Sequence, residues 1–157
     1  MKLFIDEDIG TRVPRALKLV RMPCENIVYP SNSGPIRFGT KDIDWIPWVG
    51  QNGYLAFSRN HHILENEVEF DLVRQHGVGI VFVDRGDHPS WAILRMIMQR
   101  WEWLRLIDGA QRPFAYLVGL TGRPEGYDLT RGPREPRPYR APAIMQQSIM
   151  GSPSQRQ

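Results

Sequence analysis

Apolar residues along the chain gather in five short runs, 2–5, 26–29, 54–57, 78–83 and 114–118, and between the runs apolar positions recur at helical spacing. Such alternation predicts a mostly parallel sheet covered by helices, an α/β class. The first helix starts near Thr11, with Pro14 tolerated in its first turn and Ala16, Leu17 and Val20 on one face. A second spans 42–50, and a third spans 68–76 with Gly77 as its C-terminal cap. In the fourth, Leu94, Ile97, Met98, Trp101 and Leu104 share a face while Arg95, Gln99, Arg100 and Arg105 occupy others. Its aromatics read as core rather than as a platform for stacking bases.

Segment 30–40, Pro-Ser-Asn-Ser-Gly-Pro-Ile-Arg-Phe-Gly-Thr, has no period and many turn formers. It is a loop, and its position makes it a candidate lid. After Thr121 six Pro and four Gly appear and the apolar pattern fades, apart from Ala143, Ile144 and Met145. The expected organisation is one domain over 1–121 and a Pro/Gly/Arg-rich tail over 122–157 with little structure of its own, dispensable for folding.

Composition changes this picture only slightly. A chain of 157 residues with 41% hydrophobic content suits one domain with a proper core. Cys24 is the single cysteine, so an internal disulfide is excluded. The chain opens on a strand pattern without an apolar signal core, and no apolar run approaches about 20 residues, so a soluble, cytoplasmic protein is expected and a membrane partner is not. The net charge is +3, yet six Arg against three acids after Thr121 account for all of it. A balanced body with an Arg-rich tail does not by itself describe a nucleic-acid groove, although 17 Arg against 3 Lys favours bidentate contacts to carboxylate or phosphate.

Candidate chemistry begins where the first run ends, in Asp6-Glu7-Asp8. Adjacent carboxylates repel and resist desolvation, which makes sense around a divalent cation; the alternative is that they cap the following helix. In a right-handed βαβ sheet, residues beyond the strand ends gather at one edge. Here those are Asp6, Glu7 and Asp8, then Ser58, Arg59, Asn60, His61 and His62, then Asp84, joined by Asp42 and Asp44 if the second helix starts on that edge. Oxygen ligands from distant segments suit Mg²⁺ or Mn²⁺ better than zinc.

These segments resemble the PIN-like domains of VapC-type toxins in bacterial toxin–antitoxin systems. Leu3-Phe4-Ile5-Asp6-Glu7-Asp8 is similar to that group's strand followed by Asp-Glu-Asn, with Asp8 in the place of Asn. Gly39-Thr40-Lys41-Asp42-Ile43-Asp44-Trp45 resembles its Gly-Thr-Pro-Asp-x-x-Trp, and Phe57-Ser58-Arg59-Asn60 a Leu-Thr-Arg-Asp strand end. Glu69 falls where a Glu is often found, and Gly77-Val78-Gly79-Ile80 and Arg112-Pro113-Phe114 extend the likeness to about residue 120.

The resemblance implies a three-layer sandwich with a central, mostly parallel five-stranded sheet, and an acidic pocket holding Mg²⁺ or Mn²⁺ for endoribonuclease action. It implies Asp6, Asp42 and Asn60 as catalytic residues and Asp6, Glu7, Asp42, Asn60 and Asp84 as metal ligands. Asp8, Arg59, His61 and Glu69 follow as substrate-facing or supporting residues. The implied partners are an RNA substrate and an antitoxin protein, with a homodimer left open. Asn60 departs from the usual Asp, so one negative charge is missing and weaker cation binding follows unless Asp84 or Glu7 compensates.

Each accessory residue also has a plain structural reading. His61 and His62 would then be solvated, Arg59 would pair with a neighbouring acid, and Glu65, Glu67 and Asp71 mark a wet helical face. The alternative function is a catalytically weak PIN-like module that binds RNA or a partner protein, favoured by Asn60. A phosphoacceptor receiver domain needs an Asp after the third strand and a Lys after the fifth, where Ser58 and Gly119 stand. Neither a glycine-framed nucleophilic serine nor a phosphate-cradling loop occurs.

Overall fold

The structure is a computed structural model that describes residues 1–84 and 86–133, and the backbone of 138–139. Its elements run β1 (Lys2–Ile5), a 3-10 turn (Glu7–Ile9), α1 (Arg12–Leu19), β2 (Asn26–Val28), α2 (Asp42–Gln51), β3 (Leu55–Ser58), a second 3-10 turn (His61–Leu64), α3 (Glu67–Gln75) and β4 (Gly79–Val83). They continue with α4 (Ser90–Gln99), α5 (Trp101–Asp108), β5 (Phe114–Val118), β6 (Glu125–Tyr127) and β7 (Pro138–Tyr139). The sheet order is β2-β1-β3-β4-β5-β6-β7. The first five strands are parallel and are the five read from the sequence, each within a residue or two of its expected limits.

Alternation within each strand divides the core in two. Leu3, Ile5, Val81 and Val83 point to the face covered by Val13 and Leu17 of α1, Ile93 and Ile97 of α4, and Trp101 and Ile107 of α5. Phe4, Ile80 and Phe82 point the other way, onto Trp45 and Ile46 of α2 and Phe70 and Val73 of α3. Burial on both faces is why the runs read as continuously apolar. The result is a three-layer sandwich. Gly50 lets α2 close on the end of α3, since a Cβ there would meet the His76 carbonyl oxygen at 2.4 Å.

Three expectations need correction. The sheet continues beyond Thr121: β6 pairs antiparallel with β5 through Tyr116↔Gly126 and Leu117↔Glu125, β7 pairs with β6, and Leu129 is buried in the second core. The packed unit therefore passes the expected boundary at 121; the remainder of the tail, including Ala143, Ile144 and Met145, lies outside the described residues. The long fourth helix is two helices broken at Arg100, whose guanidinium donates to the carbonyls of Gly119 and Gly122 at 3.1 and 2.9 Å. Finally, Val20 and Met98 lie on exposed faces; Val13, Pro14 and Leu17 bury α1, and Ala92, Ile93, Met96 and Ile97 bury α4.

Among the described residues no helix is long and apolar enough to cross a membrane.

Candidate metal centre

The chain leaves β1 for β2 on one side and passes to β3 on the other, so the carboxyl ends of β1 and β3 form the point where the winding reverses. Open α/β sheets bind ligands at this point. Asp6 follows β1, and its N–H donates to the Phe57 carbonyl at 2.9 Å, which sets its side chain beside Ser58 at the end of β3. The Asp6 carboxylate does cap the next turn, since Oδ1 accepts the Glu7 N–H at 2.7 Å. Capping uses only one oxygen.

The other, Oδ2, lies 2.8 Å from Ser58 Oγ, which stands 3.1 Å from Asp8 Oδ2. One hydroxyl proton cannot serve both carboxylates, so two acids compete for one donor. Asp8 also accepts the Arg59 N–H at 2.7 Å, and Ser58 Oγ accepts the Asn60 N–H at 3.0 Å. Asp8 is exposed as a residue, but its carboxylate is turned inward onto these donors. Ser58 is fully buried and ties the ends of β1 and β3 together.

Asp42 stands in the first turn of α2, where the helix dipole favours an acid. Its Oδ1 accepts Trp45 Nε1 and its Oδ2 accepts Asn60 Nδ2, both at 2.8 Å. Asn60 Oδ1 in turn accepts the His62 N–H at 3.2 Å. Reversing the amide would set oxygen against carboxylate and NH₂ against N–H, so the network fixes its orientation. Asn60 thus meets Asp42 as a donor. Asp44 is exposed at the helix start.

Burial pushes the Asp6 carboxyl from its ordinary 3.8 up to about 7, helped by the charges of Asp8 and Asp42, against the opposing hydrogen bonds from Ser58 and Glu7. Asp8 is also raised, chiefly by burial, while Arg59 opposes the rise. Glu69, the half-buried acid of the run in α3, is raised by burial and by Asp42. Asp6, Asp8, Asp42 and Glu69 therefore form one electrostatic group drawn from three segments, the end of β1, the start of α2 and α3. Its negative charge exceeds the positive charge facing it.

Other expected site residues stand further out. Glu7 Oε2 accepts the Gly39 N–H at 2.7 Å and pins the end of the 30–40 loop to the acids. Arg59 donates through Nη2 to the Gly86 carbonyl. Asp84 is engaged 2.7 Å from His88 Nε2 rather than with Asp6 or Asp42. His61 is not solvated as expected, because Nε2 lies 3.0 Å from the Val83 carbonyl and the ring stacks on Phe82. His62 is exposed beside Glu65.

Sequence reasoning gives Ser58 no functional role, although the Thr at the matching place in the related motif marks a hydroxyl there. Trp45 is legible only through the Asp-x-x-Trp spacing. A cavity of about 960 Å³ lies elsewhere, between Arg74, Phe114, Tyr127 and Leu129, and takes no residue from the acid group.

A family model described as a PIN-like domain matches residues 1–85, just over half of the chain, and spans Asp6, Glu7, Asp8, Asp42, Glu69 and Asp84. The chain belongs to the PIN-like domain family. Neither a curated protein nor a solved structure matches the chain significantly. The match ends at the close of β4, short of the residue 120 to which the motif likeness extends.

Whether a hard divalent cation suits this edge follows from its donors. Among the described residues no three His, Cys, Asp or Glu side chains form a ready-made cage. Mg²⁺, however, is commonly held by one or two carboxylates together with waters and substrate phosphates rather than by an all-protein cage. Asp6 and Asp8, bridged by one serine and short of countercharge, fit that mode.

Proposed function

We propose that this PIN-like protein is a Mg²⁺- or Mn²⁺-dependent endoribonuclease acting as the toxin of a VapC-type toxin–antitoxin pair. The observation that carries the hydrolase reading is the convergence of Asp6, Asp8 and Asp42 at the sheet's switch point, where Ser58 bridges Asp6 and Asp8 and the charges of Asp8 and Asp42 add to burial in raising the Asp6 carboxyl. An uncompensated acid group at a ligand-binding edge is what a cation-dependent site requires. The motif resemblance supports the toxin reading and, with it, an antitoxin partner.

In this reading Asp6 and Asp8 are the primary ligands and Asp42 completes the anionic wall. When bound, the divalent ion supplies an activated water and stabilises charge on the leaving oxygen. Ser58 holds the Asp6 and Asp8 carboxylates in register between β1 and β3. Asn60 and Trp45 fix the Asp42 carboxylate, and Arg59 brings a positive charge to the edge where a scissile phosphate would lie. Gly39, held by Glu7, draws the 30–40 loop over the rim as a lid.

One observation favours a weaker activity. Asn60 offers Asp42 an N–H where the family usually has a carboxylate, which supports the alternative of a module that binds RNA without efficient cleavage.

The two readings part in one assay. Purified protein freed of bound partners and mixed with single-stranded RNA is expected to cleave it with Mn²⁺ or Mg²⁺ and to stop when chelator is added. Binding without cleavage at saturating Mn²⁺ selects the module. Cleavage that persists in chelator contradicts the metal-dependent mechanism.

A further inference from the structure

A groove of about 650 Å³ runs beside β2, the outermost strand at its end of the sheet among the described residues. Arg15 and Lys18 of α1 form one wall, and the loop from Ser31 to Pro35, with Phe38, forms another. Arg12, Arg15 and Lys18 recur every third residue, which aligns their charges along one side of the helix. No Asp or Glu is among the described residues that line the groove. In a chain whose body carries equal numbers of basic and acidic residues, that segregation sets the groove apart.

Its lining also carries aromatic rings, Tyr29, Phe38 and Tyr54. Lys18 Nζ stands 5.1 Å from the centre of the Tyr29 ring, and Phe38 is left 46% exposed at the rim. The loop is preformed: the Ser31 N–H donates to the Ile36 carbonyl at 3.0 Å, Arg37 Nη1 to the Asn32 carbonyl at 3.0 Å, and Ile36 is buried beneath. The groove also adjoins the acids. Phe38 precedes Gly39, whose N–H is held by Glu7, and Thr11 on the opposite rim lies three residues after Asp8.

Cations in a row supply attraction for a phosphate backbone, and exposed aromatics supply stacking surfaces that tolerate any base; together they are the components of a single-strand binding groove. We propose that this groove binds the single-stranded RNA segment flanking the scissile phosphate, with Arg15 and Lys18 on its phosphates and a base stacked on Phe38. The inference rests on the ribonuclease reading for the identity of the polymer. It adds the path by which the polymer reaches the acids.

The test is the anisotropy of a fluorescently labelled oligouridylate bound to the full chain in EDTA, where no metal-dependent cleavage proceeds. Arg15→Glu combined with Lys18→Glu is expected to weaken binding at least about tenfold and to reduce the salt slope by about 1.4, two phosphate contacts' worth on a single strand. Phe38→Ala is expected to weaken it about fivefold or more without changing that slope. Arg15 and Lys18 are exposed, and a thermal melt checks the fold; if the double variant does not fold, Phe38→Ala and the single alanine variants carry the test. Wild-type protein that fails to bind, or folded variants that bind as wild type does, overturn the groove; unchanged RNA affinity leaves it to an extended peptide pairing on β2. RNA binding that depends on these residues in a protein that never cleaves with Mn²⁺ overturns the nuclease reading and leaves the groove standing. Cleavage with unaltered affinity in the variants does the reverse.

Discussion

Asp6→Asn is expected to lower RNA hydrolysis by at least about a hundredfold while raising the melting temperature of the metal-free protein above pH 7. The activity loss follows from removing a direct ligand, which should cost no less than the 10- to 100-fold associated with groups that merely support ligands. The stability gain follows from burial. Asp6 binds its proton more tightly folded, with a pKa of about 7, than at its ordinary 3.8. Below about pH 4 the residue is neutral in both states and burying it costs no charge; as pH rises through 7 the folded state must ionise a buried, crowded acid, and stability is lost. The size of the shift bounds the effect at about 4 kcal/mol. The introduced amide would keep a partner in Ser58 but lose one acceptor, so about 1–2 kcal/mol, or about 3–6 °C, is expected. Melting curves from pH 4 to 8 in EDTA should diverge with rising pH, the variant staying higher. Saturating Mn²⁺ should reverse the order, because only the wild type gains binding energy. Curves that coincide at every pH would show that Asp6 is not held in an uncompensated site.

Truncation after Thr121 should abolish cooperative unfolding or lower stability by about 4 kcal/mol or more, a large share of what a domain of this size possesses. It removes β6 from the edge of β5, Leu129 from the second core, Tyr127 from its edge-to-face contact with Phe82 at 6.1 Å, and one of the two carbonyls bound by Arg100. Leu129→Ala in the full chain should cost about 2–3 kcal/mol by itself. Thermal melts followed by far-ultraviolet circular dichroism compare the three proteins. A truncated chain that melts cooperatively within a few degrees of the full chain would mean that β6 and Leu129 add little.

The contrast between the well-read and the misread parts has a physical origin. Strands buried on both faces leave continuous apolar runs, so β1 to β5 are visible in the sequence, and the parallel topology then forces their following residues to one edge. That suffices to associate Asp6 with Asn60; Asp42 follows a loop rather than a strand and joins them only through the start of the second helix and the motif likeness. Glu-Gly-Tyr at β6 carries no such run, because an antiparallel strand near the sheet's edge is held largely by backbone pairing, which has no side-chain signature. The break at Arg100 is equally hidden. Arginine is a good helix former, and the interruption coincides with hydrogen bonds to Gly119 and Gly122, distant in sequence. Ser58 is small and uncharged, and its importance lies in contact with two acids about fifty positions away. Asn60 is legible as a departure from a motif. That it faces Asp42 as a hydrogen-bond donor requires the fold.

Whether the acidic edge binds a divalent cation is read by a calorimetric titration of Mn²⁺ into metal-free wild-type protein and into Asn60→Asp. The substitution sets a carboxylate against Asp42, where an N–H now lies 2.8 Å away. Saturable binding to the wild type is expected, with binding tighter by about 1 kcal/mol or more in Asn60→Asp, since close charges are worth several kcal/mol at an effective dielectric near 20. The same variant should melt below wild type in EDTA and recover with Mn²⁺. Absence of saturable Mn²⁺ binding in both proteins would contradict the claim that this acidic edge is a metal centre.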